Sequence, residues 1–429
     1  MKDLIETEEK AKRAFLVGIR DERMSKEEAD SFMRELSGLV DTLGLEIVST
    51  EMVHIREKNA KYGVGTGKAE ELAEKAASLE VDCIVFDRDL SPSQQRNWEE
   101  LSFCENAGIS AIDRQELIIQ IFASRARTRE AELQVNLARL VYTLPRLQHK
   151  YIDLSRQRGG HYGTRGSGET RLEMDRRLLE QKIHHLEEEL EDVKCQRQVQ
   201  RKQRERQGIP VCALVGYTNS GKSSILNALT GAGVLAEDKL FATLDPTSRR
   251  LELPEGMEIL LVDTVGFIRR LPHTLINAFR STLEEASHAD ILLNILDVSE
   301  KDAAAQYETT LSVLRDLGAG NIPMITVLNK IDRLQSAEDL DAFLKAYPGS
   351  APISATNGNG LPELCIRLER TLSGGSIRFR FPPERTDLAA LLHRSGTVIA
   401  ENYREDCIEM EARVDDRTAG RLKEYRVND

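Results

Sequence analysis

The chain has 429 residues, 40% hydrophobic and 30% charged, with a formal net charge of −12. That length suggests roughly two to four domains, and the acidic balance favours solubility and would repel bulk nucleic acid. No run of about eighteen apolar residues occurs, which excludes a transmembrane helix, and the charged start MKDLIETEEKAKRAF lacks the apolar stretch of a signal peptide. The six cysteines (Cys83, Cys104, Cys195, Cys212, Cys365, Cys407) are widely spaced with no C-x-x-C pair. They argue against a disulfide framework or zinc site and for a reducing, cytoplasmic location.

In chain order, residues 13 to about 125 alternate strand and helix patterns. RAFLVGIR reads as a strand, KEEADSFMRELSGLVDTLG as an amphipathic helix ending at Gly44, and LEIVSTEMVHI as a second strand. KAEELAEKAASLE is helical, VDCIVFD is a buried strand, and SPSQQRNWEEL opens a helix with Ser91 as N-cap and Pro92 at the first helical position. GISAID and QELIIQIFASRA add a strand and a helix. This alternation predicts a small parallel α/β subdomain over residues 1–128. Gly63-x-Gly65-x-Gly67-Lys68 lacks phosphate-loop spacing and reads as a tight turn before the KAEELAEK helix.

Residues 129–207 read as a helical coiled-coil hairpin. Leu133, Leu137, Leu140, Leu144 and Leu147 recur at 4-3-4-3 spacing, and Leu172, Leu179, Ile183, Leu186, Leu190 and Val193 form a second stripe. The second helix is predicted from about Arg171 to Arg206. Between the stripes lies LQHKYIDLSRQRGGHYGTRGSGETR, glycine-rich and basic, with Arg156, Arg158, Tyr162 and Arg165 as candidate RNA contacts. Arginines can meet phosphates, aromatics can stack on bases, and glycines admit close backbone approach. Composition alone is equally consistent with a solvated linker. The surroundings are also basic: residues 121–210 hold 19 Lys and Arg against 13 Asp and Glu in an otherwise acidic chain.

Residues 208–375 carry the chemistry. In VCALVGYTNSGKSSILNAL a buried strand runs into Gly216-x-x-x-x-Gly221-Lys222-Ser223 and then a helix, the strand–loop–helix context a P-loop requires. The backbone of Gly216, Tyr217, Thr218, Asn219, Ser220 and Gly221 would wrap phosphates at a helix N-terminus. Lys222 would bridge the β- and γ-phosphates, and the Ser223 hydroxyl would hold Mg²⁺. DTVG follows: Asp263 would hold Mg²⁺ through water, and Gly266 would touch the γ-phosphate, with Thr264 and Val265 between them. NKID supplies Asn329, Lys330, Ile331 and Asp332, and SAT supplies Ser354, Ala355 and Thr356. Asp332 can accept from guanine N1–H and its exocyclic amine, two bonds adenine cannot return, and the SAT backbone can donate to guanine O6. Four motifs in register point to a guanine nucleotide, hence a GTPase. In LFATLDPT, with Phe241, Ala242, Leu244 and Asp245 beside the nucleotide, Thr243 and Thr247 both could complete the Mg²⁺ shell; Thr243 is preferred. The catalytic set is then Lys222, Thr243 and Gly266. Residues 376–429 read as a Pro/Arg-rich linker, SGGSIRFRFPPERTD, and a small α+β module with two strands.

The chain resembles the HflX family of translation-associated GTPases. The matching stretches are GYTNSGKSSILN, LFATLDPTSRR, LLVDTVGFIRRLP, LNKID and SAT, and outside them YGVGTGKAEEL, LSPSQQRN, IFASRARTREAELQV and GTRGSGETRLEMDRR. The resemblance implies binding to the large ribosomal subunit and its RNA, in ribosome splitting, rescue or biogenesis; the chain is expected to be a monomer. A different class of function, a GTP switch whose hairpin docks a protein, is the alternative. Salt-sensitive, ribonuclease-sensitive binding separates the two.

Phe267 follows the D-x-x-G glycine, where many GTPases place a water-orienting glutamine. Phenylalanine cannot hydrogen-bond a water, so the side chain is expected to pack away from the nucleotide and intrinsic hydrolysis to be slow. Help would come from the ribosome or from K⁺ at Asn219; a turn-forming role for Asn219 is equally open.

Overall fold

The computed structural model describes residues 12–427 apart from 58, 158–166, 232, 234–236, 238, 245–246, 271–284, 373–376, 405 and 415. The chain forms two compact units. One comprises Met1–Arg201 with Glu237–Asp245 and Ile268–Thr282; the other comprises Lys202–Ala236, Pro246–Phe267 and Leu283–Asp429.

The first unit is built on β1 (Arg13–Asp21), β2 (Glu46–Ile55), β3 (Cys83–Phe86) and β4 (Ser110–Ile112), in the order β2-β1-β3-β4. All these pairings are parallel. The centre of β1 is buried on both faces, as its continuous apolar run requires. Helices α1 (Lys26–Thr42), α2 (Thr66–Ser78), α3 (Pro92–Glu99) and α4 (Ser102–Ala107) make the crossovers, and α5 (Arg114–Arg125) follows β4. Ser91 caps α3 in a capping box with Pro92 in the first turn, as the sequence predicts. Gly65 is the N-cap of α2, so the Gly63–Gly67 pattern is a turn and helix start. Trp98, fully buried, packs on Phe86 and Tyr62 and donates its indole N–H to the Tyr62 carbonyl at 3.0 Å.

Helices α6 (Arg129–Gln157) and α7 (Ser167–Gln207) complete this region. They pair antiparallel near the start of α6, where Arg129 meets Glu189 at 2.9 Å and Arg197 meets Glu130 at 2.7 Å. The predicted stripe on α7 is its less exposed face: Leu179, Ile183, Leu186, Leu190 and Val193 are shielded while most of their neighbours are exposed. The connection is shorter than the sequence suggested. LQHKYIDLSRQ has no helix breaker, so α6 continues through it until the glycines begin, and α7 starts at Ser167 rather than Arg171. Arg156 lies in the last turn of α6; Arg158, Tyr162 and Arg165 lie outside the described residues.

In the second unit a sheet of six strands among the described residues runs β10-β9-β8-β5-β7-β6. Its strands are β5 (Val211–Gly216), β6 (Thr247–Glu252), β7 (Glu258–Asp263), β8 (Ile291–Asp297), β9 (Met324–Asn329) and β10 (Ala351–Pro352). Strand β6 is antiparallel to β7 and the others are parallel. Helices α8 (Lys222–Thr230), α9 (Ala303–Asp316) and α10 (Ala337–Ala346) lie between its strands, and α11 (Leu361–Leu372) follows β10. Strand β6 escaped the sequence reading because TSRRLE is a polar edge strand with exposed Arg249 and Arg250.

The tail corrects one expectation. The stretch read as a linker contains β11 (Ile377–Phe381), which pairs with β13 (Ile408–Val414), itself paired with β12 (Gly396–Tyr403). IRFRF alternates strictly: Phe379 and Phe381 are buried, Arg378 and Arg380 exposed. The tail therefore has three strands among the described residues, packed with α12 (Thr386–Ser395) around Phe381, Leu392 and Met410. Among the described residues no helix is long and apolar enough to cross a membrane.

Candidate nucleotide-binding site

The site is assembled at the carboxyl ends of β5, β7 and β9, where open α/β sheets place ligands. Strand β5 ends at Gly216 and α8 begins at Lys222. Gly221 has φ +96, and a Cβ there would lie 2.2 Å from the Asn329 side-chain nitrogen, so only glycine fits. Asn219 is also left-handed, with φ +61.

Lys222 is buried, and its ammonium donates to the carbonyls of Tyr217 at 2.7 Å and Gly216 at 3.3 Å. Burial is the main cause that lowers its pKa to about 8; nearby Asp263 opposes the shift and Lys330 adds to it. Such a buried cation is stabilised by an anion brought beside it. Ser223 Oγ donates to Asp263 Oδ2 at 2.6 Å, and Asp263 is completely buried at the end of β7. A hydroxyl and a buried carboxylate this close form a hard-oxygen pair of the kind Mg²⁺ takes alongside phosphate oxygens, so the residues fit that ion. Thr264 donates from its hydroxyl to the Leu214 carbonyl at 2.7 Å, and Val265 is buried.

The guanine motifs are tied to the P-loop through Asn329. Its Nδ2 donates to the Ser220 carbonyl at 2.8 Å, and its Oδ1 accepts from the Ala355 amide at 3.2 Å. Lys330, left-handed at φ +65, donates from Nζ to the Asn219 carbonyl at 2.9 Å. Ile331 is half-buried and donates from its amide to the Ile353 carbonyl at 3.3 Å, while Asp332 is exposed. Ser354 is fully buried and accepts from Asn357 N–H at its hydroxyl, leaving Thr356 exposed on the turn.

Sequence reasoning missed Asp297. It ends β8, is buried, pairs with Lys330 at 2.6 Å and accepts from Ser299, so it orients the lysine of NKID. A lone aspartate at the end of an apolar strand was the signal.

The Phe267 side chain is buried. Phe241, Ala242, Thr243 and Leu244 group with the first unit; Phe241 stacks edge-on against Phe122 with ring centres 4.7 Å apart, and Leu244 is buried. Asp245 lies outside the described residues. Thr247 opens β6 in register with Asp263.

This P-loop, with D-x-x-G and NKxD at strand ends on the same edge of one sheet, defines a GTPase. Family models agree in three consecutive parts: "GTP-binding GTPase N-terminal" over residues 30–123, "GTP-binding GTPase Middle Region" over 125–204 and "50S ribosome-binding GTPase" over 211–330. The chain is 45% identical over 425 residues to GTPase HflX of Akkermansia muciniphila, covering 96% of each chain. It is 41% identical over 377 residues to GTPase HflX of Escherichia coli strain K12, covering 87% of each. A GTP-binding protein from Sulfolobus solfataricus solved with GDP shares 26% identity, with 83% of this chain and 99% of that one covered, at a TM-score of 0.45. The chain belongs to the HflX family of GTPases.

Proposed function

We propose that this GTPase works on the large ribosomal subunit and hydrolyses GTP with Mg²⁺, slowly alone and faster on the ribosome, in splitting, rescue or biogenesis of ribosomes in the cytoplasm. The observation that carries the nucleotide part is Asn329, whose side chain joins the P-loop at Ser220 to the guanine loop at Ala355. The ribosomal part is supported by the matched G-domain model, described as ribosome-binding, and by the basic stretch that joins α6 to α7.

In this reading Lys222 holds the β- and γ-phosphates, Asp332 reads guanine, and Lys330, fixed by Asp297, covers the base. Ser223 and Thr243 would hold Mg²⁺, with Asp263 acting on it through water; when bound, the ion would supply neutralisation of phosphate charge during transfer. The Gly266 amide faces the γ-phosphate. Phe267 orients no water, so ordering of the switch loops by the ribosome, or K⁺ at Asn219, supplies what glutamine supplies elsewhere. Arg156, Arg158, Tyr162 and Arg165 are the proposed RNA contacts.

The test is GTP turnover in potassium buffer with and without purified large subunits, repeated after deleting residues 159–168. A large stimulation that the deletion abolishes is expected. Confirmed GTP binding with no stimulation moves the partner search to proteins that dock on the hairpin.

A further inference from the structure

Two buried hydroxyls of the phosphate loop, Thr218 Oγ1 and Ser220 Oγ, have no hydrogen-bond partner among the described residues. Thr218 is 5% exposed and Ser220 1%. Folded proteins pair nearly all such groups, and one left unpaired is destabilising. The neighbouring hydroxyls of this site follow the rule: Ser223 donates to Asp263 and Thr264 to the Leu214 carbonyl.

The two unpaired hydroxyls lie in different places. Ser220 Oγ sits against the strand ends: a Cβ built on Gly216 would lie 3.1 Å from it and 2.4 Å from the Ile295 carbonyl oxygen of β8. Thr218 stands at the D-x-x-G turn. Its amide donates to the Phe267 carbonyl at 2.8 Å. A Cβ on Gly266 would lie 2.7 Å from Thr218 Cα, 2.9 Å from Thr218 Cγ2 and 2.9 Å from Lys222 Nζ. Gly266, the Thr218 side chain and the Lys222 ammonium therefore converge on one corner. Oγ1 shares its carbon with Cγ2, so it belongs to the same corner. With the amide taken up by Phe267, the hydroxyl is the group by which Thr218 can meet a ligand. An ammonium and an unpaired hydroxyl side by side suit the oxygens of an anion. Gly266 is the glycine proposed to face the γ-phosphate, and the lysine of a P-loop reaches the β- and γ-phosphates.

We propose that Thr218 Oγ1 donates a hydrogen bond to the terminal phosphate of the triphosphate, and that this bond helps the protein distinguish GTP from GDP. The inference rests on the reading of residues 216–223 as the phosphate loop and of Gly266 as facing the γ-phosphate. A diphosphate lies over the loop amides and the start of α8 and brings no oxygen to this corner, so the hydroxyl stays unpaired. A triphosphate satisfies it with a charge-assisted bond, stronger than one between neutral groups. The side chain is thus a small liability in the free chain that only a γ-phosphate removes. Valine keeps its shape without the hydroxyl, and serine keeps the hydroxyl without the methyl group.

The experiment titrates the full-length wild type, Thr218→Val and Thr218→Ser with fluorescent GDP and with a fluorescent non-hydrolysable GTP analogue, in Mg²⁺ buffer. Thr218→Val should hold GDP within about twofold of the wild type and weaken the analogue by roughly tenfold to a hundredfold. Thr218→Ser should keep the wild-type ratio of the two affinities. In nucleotide-free melts Thr218→Val should gain about 2–4 °C, because an unpaired buried hydroxyl has gone. An equal loss for both nucleotides would mean that the side chain only shapes the loop, and it overturns the proposal, as does an unchanged ratio. A valine variant that melts below the wild type overturns it too, since the hydroxyl then has a partner within the chain. In each of these cases a wild type that binds both nucleotides leaves the phosphate-loop reading standing. If the wild type binds neither, that reading itself falls and the proposal with it.

Discussion

The Asn329 side-chain amide donates to the Ser220 carbonyl at 2.8 Å, across 109 residues of sequence. Both groups are buried, and the other end of the same side chain accepts the Ala355 amide. Leaving buried polar partners unmade costs about 1–3 kcal/mol. Asn329→Ala should therefore weaken GDP and GTP alike by roughly tenfold to a hundredfold, because the P-loop and the guanine loop both lose their tie. Calorimetric titration with each nucleotide measures this. Wild-type affinity in the variant would mean the two loops hold their places without it.

Lys222 gives nucleotide binding a pH dependence. Its pKa in the free protein is lowered to about 8, chiefly by burial. Phosphates favour the charged ammonium and raise that value on binding. Affinity should be flat below about pH 8 and fall above it by up to about tenfold per pH unit, as binding comes to require proton uptake. Stability moves the other way. Between about 8 and the ordinary value of 10.5 the unfolded chain holds more of this proton than the folded one, so this group's contribution to stability rises with pH. Titrations from pH 7 to 9.5 on the wild type and Lys222→Ala check both; the variant should bind weakly with no bend near pH 8.

Much of this site was legible because its residues act locally. A P-loop needs glycine where φ is positive and a lysine at the helix start, and both are written in one short stretch. The parallel sheet of the first unit was legible from apolar runs such as that of β1. What escaped depends on pairing between distant residues. Asp297 acquires its role only when β8 lies beside β9. Glu35 is one more acid on an amphipathic helix until Arg114 and Arg269 converge on it. The strand IRFRF hid because proline and arginine neighbours read as linker, while its period of two needs β13 to reveal which face is buried.

A second buried cluster predicts how the first unit responds to acid. The Tyr142 hydroxyl lies 3.1 Å from Asp113 Oδ1 and 3.1 Å from Glu116 Oε2. One phenolic proton cannot serve both. Burial is the main cause pushing the Glu116 carboxyl up, and the Asp113 charge adds to it; Tyr142 and Gln95 only partly oppose the shift. A carboxyl raised on folding stabilises most below its ordinary value of 4.5 and loses that contribution as pH rises through the folded value. Glu116→Gln removes the titration and keeps the shape. The variant should match or exceed the wild type at pH 8, by about 2–4 °C in melting temperature, with a flatter profile towards acid. Thermal melts across that range decide it, and a variant that melts lower at pH 8 but matches the wild type in acid would show that the carboxylate is needed charged.

Asn219 sits at φ +61, and its carbonyl accepts from Lys330 Nζ at 2.9 Å. Asparagine tolerates this left-handed backbone; alanine there costs about 1–2 kcal/mol, and glycine relieves the strain. The two substitutions separate the residue's backbone role from a side-chain role. Asn219→Gly should keep the turn, the bond to Lys330 and nucleotide affinity, whereas Asn219→Ala should weaken GDP and GTP together by roughly tenfold. Turnover in potassium against sodium is then read on the glycine variant, whose loop is intact. If the side chain ligates K⁺, the potassium advantage of the wild type disappears there. If the advantage survives, asparagine is present for its φ alone, and the help that Phe267 cannot give must come from the ribosome.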